Sequence, residues 1–383
     1  MATVNNKIVE FKPALQISIF IHPNSEYHIF RESLFTLFTR DVNKPLSRGL
    51  SIPTLFFSKP YDLTCLIQNK SYNALIILLI DYKMVNDGKW RDFIDLIINH
   101  AQSSKNLIKL IPVALDDTTF NLNHELNKYN FIRFYEFPIE IRNELFEVIL
   151  LNELCKLLKS TIKEGYKLPV KLFLSHAKRD GEHIIKIFRQ FINKFTELRS
   201  FFDVINISPG TKWEDVITEN IKDSSVLIFQ TDSFSSREWC RREVLLAKQF
   251  NCPIIILNCY VRGEERVFPY IGNIPSFHWN LKEDSILEIV KLILIETLRI
   301  RYNKKLFDKL HDYWDFTKDS TIFIRPPELL NCIEPKFNST KQVYLYPDPP
   351  LGVEELNILS RISSNLIFTT PMQFFTSKSK KKS

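Results

Sequence analysis

Short, continuous apolar runs constrain the fold of this chain more than any other feature. KLFLS (171–175), SVLIF (225–229) and PIIIL (253–257) lack the polar alternation of a strand with one wet face. A strand that is apolar on both faces must be covered on both, the condition of parallel strands between helices. A weaker run, SFFDV (200–204), falls after the first. Helical periodicity fills the intervals. Ile184, Ile187, Phe188 and Phe191 share a face within roughly 181–196, and Trp213, Ile217 and Ile221 recur every fourth residue behind SPGT (208–211). Thr211 with Glu214, and Ser235 with Glu238, have capping-box spacing. Strand–helix alternation of this kind predicts an open, flavodoxin-like α/β parallel sheet with right-handed crossovers.

The N-terminal third repeats the grammar. ISIFIH (17–22) matches KLFLSH (171–176), NALIILLID (73–81) matches SSVLIFQTD (224–232), and KLIPVAL (109–115) matches CPIIIL (252–257). Trp90 and Trp239 follow the second of these runs in each half, and four residues later stand Ile94 and Glu243. The pattern reads as a diverged tandem copy in which the first member has an apolar residue where the second has an acid. The predicted organisation is an α/β domain over 1–160, a second over 168–280, a connecting helix over 281–305, a small α/β unit over 306–376, and a basic, disordered tail over 377–383. In the small unit STIFIRP (320–326), QVYLYP (342–347) and NLIFTTP (365–371) read as strands, with a helix near 353–362 and a proline-stiffened turn at PDPPLG (347–352).

Composition excludes several classes. The net charge is +7, part of it in SKSKKKS, and no basic stripe with interleaved aromatics occurs, so no nucleic-acid partner is expected. Six cysteines lie apart, without C-x2-C or histidine-ligand spacing, so neither a metal nor a zinc site is expected. ALIILLI (74–80) is too short to span a bilayer, and MATVNNKIVEF has no signal-peptide core. A protein of the reducing cytoplasm, without membrane association, is expected.

Ligands of open parallel sheets bind outside the carboxyl ends of the strands. Ser175 and His176 end the first strand, Asp203 the second, and Thr231, Asp232 and Ser233 follow the third. In SSREWCRREVLLAK (235–248), Cys240, Val244 and Ala247 form an apolar stripe, which makes Cys240 a core residue. Glu243 reads as lying beside that stripe, on the flank of Trp239. A carboxylate half-shielded by an indole could accept hydrogen bonds from a sugar diol or stabilise an oxocarbenium-like ribose. It could equally be a solvated surface charge. His176 could touch phosphate or ribose; a histidine closing a strand is as often structural.

KLFLSHAKRD, FFDVINISPGTKWEDVITENIKDSSVLIF and SSREWCRREVLLA, in that order, resemble a Toll/interleukin-1 receptor (TIR) domain of the bacterial type over about 168–280. The resemblance implies a flavodoxin-like fold and cleavage of NAD+ with release of nicotinamide, with NAD+ as substrate and no further cofactor. It implies Glu243 as the catalytic residue, Phe173 and Ser175 lining the nucleotide pocket, and Trp239 beside the nicotinamide riboside. Asp203 and Trp213 would flank a loop that gates the pocket and mediates self-assembly. An antiphage effector, triggered by assembly or by a sensor protein, is the expected role. A cyclic ADP-ribose messenger synthase and a non-catalytic scaffold are the alternatives. The first domain would be a TIR-like copy lacking the acid.

Overall fold

The computed structural model describes residues 2–4, 7–9, 12–39, 49–61, 71, 73–103, 108–122, 125–159, 169–201, 213–264, 266–272, 274–313, 320–328, 342–362 and 365–380. A short antiparallel pair, β1 (Ala2–Val4) and β2 (Lys7–Val9), opens the chain and was not foreseen in the sequence.

The first large sheet contains β3 (Gln16–Ile21), β4 (Thr54–Phe57), β5 (Ala74–Ile80), β6 (Ile108–Ala114) and β7 (Ile132–Arg133), in the order β4-β3-β5-β6-β7. β3 pairs in parallel with both β4 and β5. Its helices are α1 (Ile29–Phe38), the short α2 (Tyr82–Asn86) and α3 (Gly88–Ser103). A longer helix, α4 (Arg142–Leu158), follows β7.

The second large sheet contains β8 (Lys171–His176), β9 (Arg199–Phe201), β10 (Ser225–Gln230), β11 (Ile254–Asn258) and β12 (Ser276–His278). Its order is β9-β8-β10-β11-β12, and every adjacent pair is parallel. The two sheets therefore share one strand order, 2-1-3-4-5, which is the flavodoxin-like arrangement. The helices here are α5 (Lys178–Phe195), α6 (Trp213–Ile221), α7 (Glu238–Gln249) and α8 (Ile286–Tyr313). α8 starts later and ends later than the predicted 281–305. Of the SFFDV run, Ser200 and Phe201 lie in the second strand, and 202–204, with Asp203, and the Thr211 cap lie outside the described residues.

A third, parallel sheet joins β13 (Ser320–Ile322), β14 (Gln342–Leu345) and β15 (Leu366–Thr369) in that order. Between the last two runs α9 (Val353–Ser360), seated on Leu359, packs with Tyr344, Tyr346 and Leu351. The tail expected to be disordered from 377 continues in helix α10 (Pro371–Lys380), and 381–383 lie outside the described residues.

By internal contact the chain forms two units: 1–112 with 118–130 and 302–383, and 113–117 with 131–301. This grouping cuts the chain at other places than the sequence boundaries at 160, 168 and 305. It puts α4 in the second unit, where Lys291 Nζ lies 3.0 Å from Glu147 Oε2 and Arg301 Nη1 donates to the Cys155 carbonyl at 2.6 Å. Buried thiols fill small spaces, as expected: Cys155 Sγ donates to the Leu294 carbonyl and Cys252 Sγ to that of Ile221.

On one side of the second sheet, Phe188, Phe229 and Trp279 meet edge to face at ring distances of 5.3–5.9 Å, and the indole N–H of Trp279 reaches the Lys282 carbonyl at 3.0 Å. Trp279 is 1% exposed, so truncation leaves a large cavity with no water-filled relief. Trp279→Ala should destabilise the second unit by about 3–5 kcal/mol, read as a lowered urea midpoint.

Candidate functional site

Strand alternation builds one half of the site. Successive side chains of β8 point to opposite faces, so Phe173 and Ser175 share a face. Phe173 packs in one cluster with Cys240, Val244 and Ala247, which identifies that face as the one covered by α7. Two residues further on, Ser175 meets the same helix one step nearer the carboxyl edge.

Helical periodicity builds the other half. The buried residues of α7 are Cys240, Glu243, Val244 and Ala247, the i, i+3, i+4, i+7 pattern of a core stripe. Glu243 thus lies within the stripe, not on its flank as the spacing had suggested. It is 5% exposed, and Ser175 Oγ, itself 1% exposed, donates to Glu243 Oε2 at 2.5 Å. Taking a carboxylate out of water costs several kcal/mol before compensation, so a core position is an expensive place for an acid. Trp239 is 42% exposed, with the Arg242 guanidinium 5.3 Å above its ring. The sequence had Glu243 half-shielded by that indole; Glu243 is far more deeply covered, inside the α7–β8 seam.

The register places this pair at the switch point. Ser175 is level with Ile228 and His176 with Phe229, so β8 and β10 end together where the strand order reverses. His176 is 7% exposed; its Nδ1 lies 3.3 Å from the Leu174 carbonyl, and its own carbonyl accepts the Cys240 thiol. Gly181 lets α5 approach it: a Cβ there would stand 3.1 Å from His176 Cβ. Burial pushes the Cys240 thiol well above its ordinary range, with the charge of Glu243 adding to the effect, so it is a core thiol and no nucleophile.

Three carboxylates, of which the sequence had pointed only to Asp232, fasten the loops around the seam. Asp180 accepts from Thr231 Oγ1 at 2.7 Å and from Ser233 Oγ and N at 2.6 and 3.0 Å. Asp232 accepts the N–H groups of Val261, Arg262 and Gly263, bonds that hold its carboxyl below the usual range, and Gly263 takes the required φ of +99°. Glu264 accepts from Gln230, Ser235 and Tyr260. Ser235 does not cap α7: the N-cap residue is Arg237, with no side-chain cap, so the expected Ser235–Glu238 box is absent. Only Asp232 had a sequence signal, its place after a strand; Glu264 lies 29–34 residues from its bonded partners at Ser235 and Gln230.

Of the predicted site residues, the structure brings together Phe173, Ser175, His176 and Glu243. Trp239 stands on the outer side of the same helix. Trp213 is the first residue of α6, with its side chain outside the described set, as is Asp203. Among the described residues no group of His, Cys, Asp and Glu could hold a metal, and no helix is long and apolar enough to cross a membrane.

The first sheet offers a contrast at matched positions. In the sequence matching of the two halves Ile21 aligns with Ser175 and Ile94 with Glu243, and they are 3% and 0% exposed. Both sequence counterparts of the hydrogen-bonded pair are thus buried and apolar. Trp90, 1% exposed, is buried with its ring 6.1 Å from that of His22.

A flavodoxin-like sheet with a buried serine–carboxylate pair at its switch point defines the class of this unit. The TIR domain family model matches residues 172–285, and this segment of the chain is a TIR domain. Solved structures that it resembles include the TIR domain of the Toll-related receptor TRR-2 from Hydra magnipapillata, at 14% identity and TM-score 0.25, covering 37% of this chain and 97% of that one. The TIR domains of the activated Roq1 resistosome, described as directly recognizing the pathogen effector XopQ, match at 14% identity and TM-score 0.22, over 38% and 99%. A putative LacI transcriptional regulator from Bacteroides fragilis matches at 10% identity and TM-score 0.17, over 80% and 93%. No curated protein matches the chain.

Burial also lowers the His176 pKa from its ordinary 6.5. The folded state therefore refuses a proton that the unfolded chain accepts. The sign follows: this histidine costs nothing above about pH 6.5, and stability falls as pH drops below it. Replacing it by Gln should flatten the stability slope between about pH 7 and about pH 5, checked by urea titrations across that range.

Proposed function

We propose that residues 172–285 form an NAD+ glycohydrolase in which Glu243 is the catalytic residue. The single observation that supports this most is the placing of Glu243: a carboxylate in a core stripe, hydrogen-bonded to Ser175, at the carboxyl edge of the sheet. Packing alone favours an apolar residue there, as Ile94 illustrates at the matched position.

In the reaction the bond between ribose C1′ and the nicotinamide nitrogen breaks, and its electron pair leaves with the pyridinium nitrogen as neutral nicotinamide. Positive charge develops on the ribose, and Glu243 would stabilise it electrostatically. Water adds at C1′ and loses a proton, giving ADP-ribose. The leaving group carries its own positive charge, so no general acid is required. Ser175 would hold Glu243 in one rotamer, and the exposed Trp239 with Arg242 would offer a stacking surface at the rim. His176 would stay neutral and contribute polarity without charge. Asp203 and Trp213 would border the entrance.

The first sheet, with Ile21 and Ile94 at the matched positions, would be non-catalytic and serve control or assembly. The wider role proposed is depletion of cytoplasmic NAD+ in antiphage defence, with self-association through the TIR domain and a sensor protein as trigger. Purified protein incubated with NAD+ should release nicotinamide, and Glu243→Ala should lower that rate by about 100-fold or more. If the isolated protein is dormant, toxicity on overexpression replaces the assay. Release that survives Glu243→Ala overturns the assignment; chromatography of the product separates ADP-ribose from its cyclic form.

A further inference from the structure

α7 carries Glu243 but has no side-chain cap of its own. Its stripe fixes one side of the helix against β8, and no N-cap side chain holds its first turn. Ser235, two residues before the N-cap, is bound to Glu264 instead. Oε1 of Glu264 accepts the Ser235 N–H at 2.5 Å, and Oε2 accepts the Ser235 hydroxyl at 2.7 Å. The same Oε2 accepts the Tyr260 hydroxyl at 3.1 Å and the Gln230 amide at 3.2 Å. Ser235 Oγ in turn accepts the N–H of Phe268 at 3.1 Å. Burial, then the charge of Glu264, pushes the Tyr260 hydroxyl well above its ordinary range, so it acts as a donor.

We infer that Glu264 is a positioning residue for Glu243: its carboxylate ties the end of β10, the entry to α7 and the loop after β11 at one point, setting where the first turns of α7 lie. The kinetic side of this inference rests on the NAD+ cleavage proposed above. The chemistry favours a carboxylate. As the structure has them, Gln230, Ser235 and Tyr260 all present donors to Glu264, and the Ser235 N–H can do nothing else. An amide at 264 would lose the charge, and its N–H2 side would be satisfied only if the hydroxyls of Ser235 and Tyr260 or the Gln230 amide turned to accept, so the tie weakens. Asp180 holds Ser233, earlier in the same lead-in, and Asp232 holds the loop at 261–263; of the three carboxylates Glu264 is the one that bonds Ser235, nearest the N-cap.

The test compares the full-length wild type, Glu264→Gln, Glu264→Asp and Ser235→Ala by hydrogen exchange and by steady-state nicotinamide release. In Glu264→Gln, amides at 235–238 should exchange at least about tenfold faster while those of β10 and β11 hold. Its kcat should fall by about 10–100-fold, the cost of misplacing a catalytic group, with KM changed by no more than about threefold. Glu264→Asp should recover part of kcat, and Ser235→Ala should move both readouts in the same direction. Faster exchange with unchanged kcat overturns the inference, as does unchanged exchange. If Glu264→Gln loses protection throughout, Ser235→Ala decides by the same criteria. A wild type that releases no nicotinamide under any activating condition sinks the proposed reaction instead, and the exchange comparison alone then decides whether Glu264 holds the helix entry.

Discussion

The hydrogen bond from Ser175 to Glu243 is the interaction on which this structure turns, because it reconciles a charge with a core. Around it the α7–β8 seam is packed with the apolar cluster of Phe173, Cys240, Val244 and Ala247, which excludes water. A hydroxyl placed by strand alternation supplies the donor that the carboxylate needs there. The seam ends at the carboxyl edge of the sheet, where loops, not strands, form the surroundings. A costly charge is therefore held at the one place in such a fold where a ligand can reach the ends of the strands.

The first sheet shows what the arrangement becomes without that demand. It has the same strand order, and Ile21 and Ile94, the sequence counterparts of Ser175 and Glu243, are both buried apolar residues. The exchange is coordinated for a physical reason. A lone Glu opposite Ile would be a buried charge without its donor, and a lone Ser opposite Ile would lose its acceptor, each costing about 1–3 kcal/mol or more. Trp90 follows suit: it is buried, whereas its counterpart Trp239 stands at the surface beneath Arg242.

Much of the fold was legible from short-range pattern. The runs KLFLS, SVLIF and PIIIL became the adjacent parallel strands β8, β10 and β11, because a segment apolar on both faces has few other solutions. Element ends were less legible. The second strand begins at Arg199, one residue before the SFFDV run, and α10 extended into the basic tail. Capping went wrong in an instructive way: Ser235 had the spacing of a cap but was claimed by Glu264, a partner 29 residues away. Local spacing expresses an option, and a charged acceptor brought close by the fold outcompetes it.

Sequence by itself determined the strand and helix alternation, the tandem plan, and the presence of one acid at a position where the other copy has isoleucine. These follow from periodicity, which acts over a few residues and needs no partner. Tertiary structure alone decided that Glu243 sits inside the stripe, that Ser175 is its donor across 68 residues of chain, and that Asp180, Asp232 and Glu264 tie the surrounding loops together. Those are pairings between groups far apart in the chain. Which donor meets which acceptor depends on register and helix rotation, and both are set only when the apolar faces have packed.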